Sequence, residues 1–482
     1  MKPCRRIGCL LAATMILVVG CSDDRAVDPS TQGAKANQVG QSLDPGAAAR
    51  DLLVSAGWEV APGEETAGAV AKCGAPAGII LDYSRTVLTG NIAHYKWHIR
   101  VGQGEYDVIG LHRVVRESRP GRPITTHANL FLQHGDYKSF EGCYLPGLVS
   151  PRLPDDNGFA VYLAQNDIDV WGIDQAWCLV PAEETDLSFM ADWDMQRQVD
   201  DLLNAMTMAR TARRLAGSGN QPMLLSGYST GGPIGFAALN HETQLPPGRR
   251  QIGGFIPVDQ GLKTDVAAWA EVCRGVCANY QALFDAGQYQ DNNPLPLFGG
   301  LALEDPDGDS PLVPGVTNLQ AALIIGTMPF FAGVNSHFCA GIFDENGLPT
   351  GMKFVDTDVL IDFLVYAPPY EPVAYLRDEY LPSYTDESPY DDHLGEVTAP
   401  ILYVMARGGF GYTGTYTLDL LGSTDVTIQE HWWGVEDQLL EYGHVDLYLD
   451  RDAASRVWQP IVGWVRDHSG PGGHGGVSVS QN

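Results

Sequence analysis

The stretch Pro222-Met223-Leu224-Leu225-Ser226-Gly227-Tyr228-Ser229-Thr230-Gly231-Gly232 decides how this chain is read. Met223 to Leu225 is a short apolar run that predicts a buried strand. The small residues after it, Gly235, Ala237 and Ala238, predict a closely packed helix. Between them a serine stands with glycine two positions before and two positions after. A side chain at a turn this sharp sits in strained backbone, and only glycines let the strand and the helix pass each other. The spacing predicts strand, turn and helix, with the Ser229 hydroxyl pushed into open space at the end of a sheet.

Outward from this turn the elements alternate. On the N-terminal side, Tyr95, Trp97, Ile99 and Val101 alternate with His94, Lys96, His98 and Arg100, the period of a half-buried strand. Gly102-Gln103-Gly104 turns the chain into a second strand, Tyr106 to Val115. Asn129 to Gln133 predicts a third strand, ending in His134-Gly135-Asp136-Tyr137. A helix near Phe159 to Ala164, a strand from Ile168 to Ile173 and a long helix over Phe189 to Leu215 follow. Beyond the elbow, Ile252 to Val258 is a strand ending at Asp259. Ile401 to Ala406 is another, and Val426, Ile428 and Trp432 mark the last, before a closing helix to Asp467. Strands alternating with helices in this order predict a mostly parallel sheet covered on both faces.

The elbow, the His-Gly turn after the third strand and the Gly443-His444-Val445-Asp446-Leu447 segment together resemble the α/β-hydrolase superfamily. That resemblance implies an α/β fold: a mostly parallel α/β-hydrolase sheet with an N-terminal antiparallel hairpin and a large lid insertion after the sixth strand. It implies Ser229 as nucleophile and His444 as the base that takes its proton, since a hydroxyl at neutral pH needs such a partner. The backbone amides of Thr230 and Asp136 would form the oxyanion hole, with Tyr137 as the alternative to Asp136. The Asp136 carboxylate would have to turn away from the anion. A carboxylate must also fix the imidazole, and most members of the superfamily carry it after the seventh strand. Here Met405-Ala406-Arg407-Gly408-Gly409-Phe410-Gly411 contains no acid. Asp259, at the end of the sixth strand, is the expected replacement, with Glu436 and Asp437 as the other acids to weigh. Arg407 is expected to be exposed or ion-paired. The implied activity is hydrolysis of carboxylic esters of neutral, bulky or apolar substrates. Amidase, lactonase or acyltransferase chemistry uses the same triad, and a binding protein on a hydrolase scaffold remains the non-catalytic alternative.

Gln260 to Leu394, rich in proline and aromatic residues, breaks the rhythm and is expected to form the lid. The expected organisation is a signal segment at 1–20, a tether at 21–75, core at 76–259, cap or lid at 260–397, core again at 398–468 and a disordered tail at 469–482. Lys2, Arg5 and Arg6 before the apolar run Leu10 to Val19 predict an export signal, too short to remain as a membrane span. Val18-Val19-Gly20-Cys21 resembles the lipobox of bacterial lipoproteins. It implies a lipid on Cys21 and anchorage at the outer membrane, or otherwise a periplasmic or secreted protein.

The 482-residue chain is 44% hydrophobic, enough for a substantial core, and carries a net charge of −29. Such acidity disfavours nucleic acid and polyanionic partners and tolerates neutral or cationic ligands. A small-molecule ester is the expected partner, with no protein partner, cofactor or metal implied. The acidic run Glu304 to Asp309 lacks the distal glutamate of a calcium loop and reads as a solvated turn. Cys73, Cys143, Cys178, Cys273, Cys277 and Cys339 follow the lipobox cysteine, an even number that in an exported protein predicts disulfides. The superfamily topology places Cys143 and Cys178 in loops after neighbouring strands, where they could pair.

Overall fold

A computed structural model describes residues 79–331 and 333–470. The expected signal segment, Cys21, the tether, Cys73 and nearly all of the tail lie outside the described residues. Nine strands form the main sheet: β1 (Ile79–Thr89), β2 (Ile92–Arg100), β3 (Val108–Arg119), β4 (Asn129–Gln133), β5 (Asp169–Asp174), β6 (Met223–Tyr228), β7 (Ile252–Val258), β8 (Ile401–Ala406) and β9 (Val426–His431). Their spatial order is β1-β2-β3-β5-β4-β6-β7-β8-β9, with a two-residue strand, Arg122–Pro123, folding back on β3. The first three strands pair antiparallel, β3 meets β5 antiparallel, and every later pairing is parallel. This is the mostly parallel sheet with an antiparallel N-terminal hairpin that the alternation of elements predicts.

Differences lie at the margins. β1 has no counterpart in the sequence reading, because as an edge strand it exposes Ile79, Leu81 and Val87 and shows no clean alternation. Counting it, the lid leaves the sheet after the seventh strand. The helix expected over Phe189 to Leu215 begins as a 3₁₀ turn, Ser188–Asp192, and restarts as an α-helix, Met195–Leu215. Asp194 caps the restart by accepting from the Arg197 amide at 2.9 Å. Trp432 lies past the end of β9 and is largely exposed.

Residues on alternate faces of the central strands feed two cores. Phe131, Trp171, Leu225 and Phe255 pack on one face with the helix Met195–Leu215, and Leu132, Val170, Leu224 and Ile256 on the other with the closing helix Gln459–His468. Both faces of β4 to β8 are therefore dry, as parallel strands require. A buried ionic group ties layers together: Asp169 on β5 accepts from Arg113 on β3 at 2.7 and 2.9 Å and from Arg213 on the long helix. Removing Asp169 would leave two buried guanidinium groups without their carboxylate, a loss of about 3–5 kcal/mol.

Between β7 and β8 the described residues make five helices, Ala267–Asp285, Leu295–Glu304, Asn318–Thr327, Thr357–Val365 and Val373–Tyr380, with a core of their own around Leu323, Leu360 and Leu364. Two short antiparallel ribbons accompany them, one pairing Gln290–Asn292 with Tyr370–Pro372. The helix Val373–Tyr380 reaches the main core through Tyr375 and Leu376. The lid is thereby seated on the same side of the sheet as the long helix. In the acidic run, Asp305 and Gly308 form a turn whose Asp305 carbonyl accepts from the Asn318 side chain at 2.8 Å.

The disulfide expectation is corrected. Among the described residues Cys143, Cys178, Cys273, Cys277 and Cys339 are all free thiols. Cys143 lies in the short helix Phe140–Tyr144 and Cys178 in the 3₁₀ turn Ala176–Leu179, each following a neighbouring strand, but the Cys178 sulfur is turned to the Lys138 carbonyl at 3.4 Å and to His134 at 3.5 Å. Cys277 is likewise occupied with the Arg377 carbonyl, at 2.9 Å. Burial raises the pKa of each thiol, which suppresses the thiolate needed for exchange.

Candidate active site

Ser229 follows β6 and precedes the helix Gly231–Thr243, with φ of 56°, left-handed backbone that a serine adopts at a cost of order 1–3 kcal/mol. The turn closes because Gly227 and Gly231 have no side chains. A Cβ on Gly227 would lie 2.0 Å from the Gly231 carbonyl oxygen, and one on Gly231 would lie 2.6 Å from the Gln133 carbonyl oxygen. The strain is held by the Ser229 amide donating to the Val258 carbonyl at 2.9 Å. Ser229 keeps some exposure, and among the described residues its hydroxyl has no hydrogen-bond partner.

His444 lies in the loop after β9, almost wholly buried. Its amide donates to the His337 carbonyl at 3.0 Å and the Val445 amide to the Phe338 carbonyl at 2.7 Å, so the loop is stitched to a lid segment. Asp446 accepts from the amides of Gly443 and Ala340 at 2.7 and 2.9 Å, and so shapes the turn rather than facing the imidazole. The ring is sandwiched. Tyr228, the residue before the nucleophile, stacks on it with centroids 4.6 Å apart, and Phe410 meets it edge-on at 5.2 Å.

The Nδ1 of His444 is 2.7 Å from Oδ2 of Asp259, which is fully buried. Asp259 itself has φ of 62°. Its carboxylate is wrapped by the glycine-rich loop after β8: Oδ1 accepts from the amides of Ala406 and Gly411 at 2.7 and 3.0 Å, and Oδ2 from that of Phe410 at 3.0 Å. A Cβ on Gly409 would fall 1.9 Å from Oδ2. The loop that lacks an acid therefore supplies amides and space for an acid that comes from the neighbouring strand. Three backbone donors and one imidazole satisfy the buried charge. Glu436 and Asp437 are exposed, Asp437 accepting only from the Leu439 amide, and neither approaches His444. Arg407 is exposed and ion-paired with Glu430 at 3.0 Å.

The turn after β4 faces the serine from the other side, where a Cβ on Gly135 would meet the Ser229 Cβ at 2.4 Å. His134 is buried, which lowers its pKa and keeps it neutral. Its Nε2 accepts from the Gln175 amide at 3.1 Å, so the proton sits on Nδ1, which donates to the Gly135 carbonyl at 2.9 Å. In a trans peptide the N–H points opposite to the C=O. Fixing the Gly135 carbonyl on His134 therefore directs the Asp136 amide away from the core. The Tyr137 amide is engaged, donating to Glu371 at 3.3 Å. The Asp136 carboxylate is held off to the lid side, accepting from the Thr230 hydroxyl at 2.6 Å and the Tyr375 hydroxyl at 3.2 Å.

Three features of the site had no place in the sequence reading. The Tyr228 ring on His444 has a sequence signal, an aromatic residue inside the elbow. Glu371 and Glu379 of the lid have none, because nothing in their local spacing connects them to Asp136. Histidine, cysteine and acidic atoms also converge behind the turn, at His94, His112 and Glu141 and at His134, Asp174 and Cys178. These groups hold one another, His112 bridging His94 and Asp174 at 2.9 Å each, with Lys96 3.3 Å from Glu141.

No protein-family model and no curated protein matches this chain. Solved structures do. A putative lipase from Sulfolobus solfataricus superposes with a TM-score of 0.55 at 17% identity, covering 80% of this chain and 99% of that one. A monoglyceride lipase variant from Saccharomyces cerevisiae gives a TM-score of 0.44 at 11% identity, over 81% of this chain and 96% of that one. An esterase from Thermogutta terrifontis gives 0.37 at 13% identity, over 78% and 99%. The first of these, with the strand order, makes the fold α/β-hydrolase-like.

Proposed function

We propose that the protein is an exported serine hydrolase that cleaves carboxylic esters through an acyl-enzyme. Ser229 attacks the carbonyl, and His444 takes its proton and then returns it to the departing alcohol. Asp259 holds the imidazole with its proton on Nδ1, and the amides of Thr230 and Asp136 receive the oxyanion. Water repeats the sequence to release the acid. Each oxyanion donor of this kind lowers the barrier by about 3 kcal/mol. The observation that carries this proposal is the buried His444–Asp259 hydrogen bond, with the His444 ring stacked on Tyr228, the residue before a serine in strained left-handed backbone. Export and a lipid on Cys21 rest on the N-terminal sequence alone.

A fluorophosphonate probe tests the nucleophile. The wild-type protein labels, Ser229→Ala does not, and tryptic mass spectrometry finds the adduct on the Ser229 peptide. An unlabelled wild type, or equal labelling of Ser229→Ala, would sink the proposal.

A further inference from the structure

Four carboxylates gather under the lid beside the elbow. Glu371, fully buried, sits directly opposite Asp291 in the ribbon that pairs Tyr370–Pro372 with Gln290–Asn292. Glu379 shares a face of the helix Val373–Tyr380 with Tyr375, four residues earlier, and is 2% exposed. Both lie beside Asp136: Glu371 accepts from the amide of the next residue, Tyr137, at 3.3 Å, and Tyr375, on the same helix face as Glu379, donates to the Asp136 carboxylate at 3.2 Å. Like charges opposite one another in a ribbon are destabilising, and so are like charges in a buried cluster.

The donors given to these groups are few and neutral. Glu379 Oε1 accepts from Gln260 at 3.1 Å, Asp291 accepts from the phenols of Tyr137 and Tyr280, and Asp136 from Thr230 and Tyr375. Oε1 of Glu371 and Oε2 of Glu379 are buried with no hydrogen-bond partner among the described residues. No lysine or arginine is among the main influences on the titration of Asp136, Glu371, Glu379 or Asp291; burial pushes all four upward, and neighbouring carboxylates push Glu371 and Glu379 further. A buried acceptor without a donor costs about 1–3 kcal/mol, and more when charged. A fold keeps such a group where something else satisfies it.

The cluster also lies where it would do harm if left alone. Asp136 carries the amide directed at the oxyanion, and its own carboxylate, with the two glutamates behind it, would oppose negative charge developing there. A cation in the cluster would cancel that opposition when it counts. We infer that this cradle binds the protonated amine of the substrate, so that the preferred acyl group carries an ammonium close to the scissile carbonyl. This deepens the proposed function and rests on it. It replaces the expectation of a neutral acyl group with an amino-acyl one. An ammonium suits the lining. It donates three hydrogen bonds to separate acceptors. A metal ion suits it less, because the tight groupings of three ligand atoms among the described residues occur elsewhere and not in this cluster.

The test compares the 4-nitrophenyl ester of 2-aminobutyrate with that of butyrate, which differ by the ammonium alone, on the wild-type protein. The expected result is a kcat/KM at least tenfold higher for the amino ester near pH 7, after subtraction of its spontaneous hydrolysis. The preference should fall severalfold or more in Glu371→Gln and in Glu379→Gln. A ratio near one in a wild type that labels with fluorophosphonate overturns the cradle and leaves the hydrolase standing. A wild type that neither labels nor turns over either ester overturns both. Should a variant fail to fold, the wild-type ratio still decides, together with competitive inhibition of butyrate ester hydrolysis by propylamine, which the cradle requires. Calcium binding by titration calorimetry that is lost in Glu371→Gln would make the cluster a metal site and reject the inference.

Discussion

At the scale of single residues, the catalytic assignment turns on Asp259. In Asp259→Asn the amide keeps the size of the side chain but no longer fixes His444 with its proton on Nδ1, and kcat should fall by about 10³ to 10⁴. Glu436→Gln and Asp437→Asn, both exposed, should stay within twofold of the parent. Gly409→Ala belongs to the same experiment. Its methyl carbon would meet Oδ2 at 1.9 Å, so the carboxylate must move and turnover should drop towards that of Asp259→Asn. Steady-state kinetics on a 4-nitrophenyl ester check all four variants. Near-parental rates for Asp259→Asn would refute the assignment, and for Gly409→Ala would mean that the glycine loop yields without moving the acid. The displaced acid also makes sense of a composition that looked like a gap. Gly408 to Gly411 has no carboxylate because the loop's task is to enclose one.

At the scale of elements, the turn from His134 to Ser139 does two jobs: in the proposed mechanism it presents an amide to the oxyanion, and it anchors the lid. Lys138 serves the second. Its ammonium nitrogen is buried, 2.8 Å from the Phe363 carbonyl and 3.4 Å from the Phe363 ring centroid. Burial lowers its pKa to about 7. An unfolded lysine titrates near ~10.4, so between those values the unfolded chain holds more protons than the folded one. Stability contributed at this position therefore rises with pH from about 7 towards 10, and below 7 the full cost of a buried charge is felt. Lys138→Met, of similar length and apolar, should raise the melting temperature by several degrees at pH 6.5, and the gain should shrink steadily by pH 9.5. Thermal unfolding of both proteins over that range is the measurement. A gain that does not change with pH would show that packing, not ionisation, governs the site.

At the scale of the whole molecule, charge is the dominant fact. A net charge of −29, to which the four carboxylates under the lid contribute, repels itself. Raising sodium chloride from 50 to 500 mM shortens the screening length from about 14 Å to about 4 Å, and the melting temperature should rise. A fall would mean that ion pairs such as Arg113–Asp169–Arg213 outweigh the repulsion. The architecture explains why so much of the core was legible beforehand. β4 to β8 are short apolar runs with breakers at each end, and their periodicity is local. The elbow is local too, since two glycines around a serine report a backbone constraint satisfied within a few residues. The edge strand β1, whose side chains face water, left no such mark. Asp259, His444 and Ser229 were legible as candidates because the strand order assigns them to one end of the sheet. Which acid bonds His444, whether Cys143 and Cys178 bond, and that Glu371 and Glu379 come to lie beside Asp136 were decided only by the tertiary structure. Each depends on the direction of a side chain or a peptide plane between segments far apart in the chain, and sequence spacing carries no information about that direction.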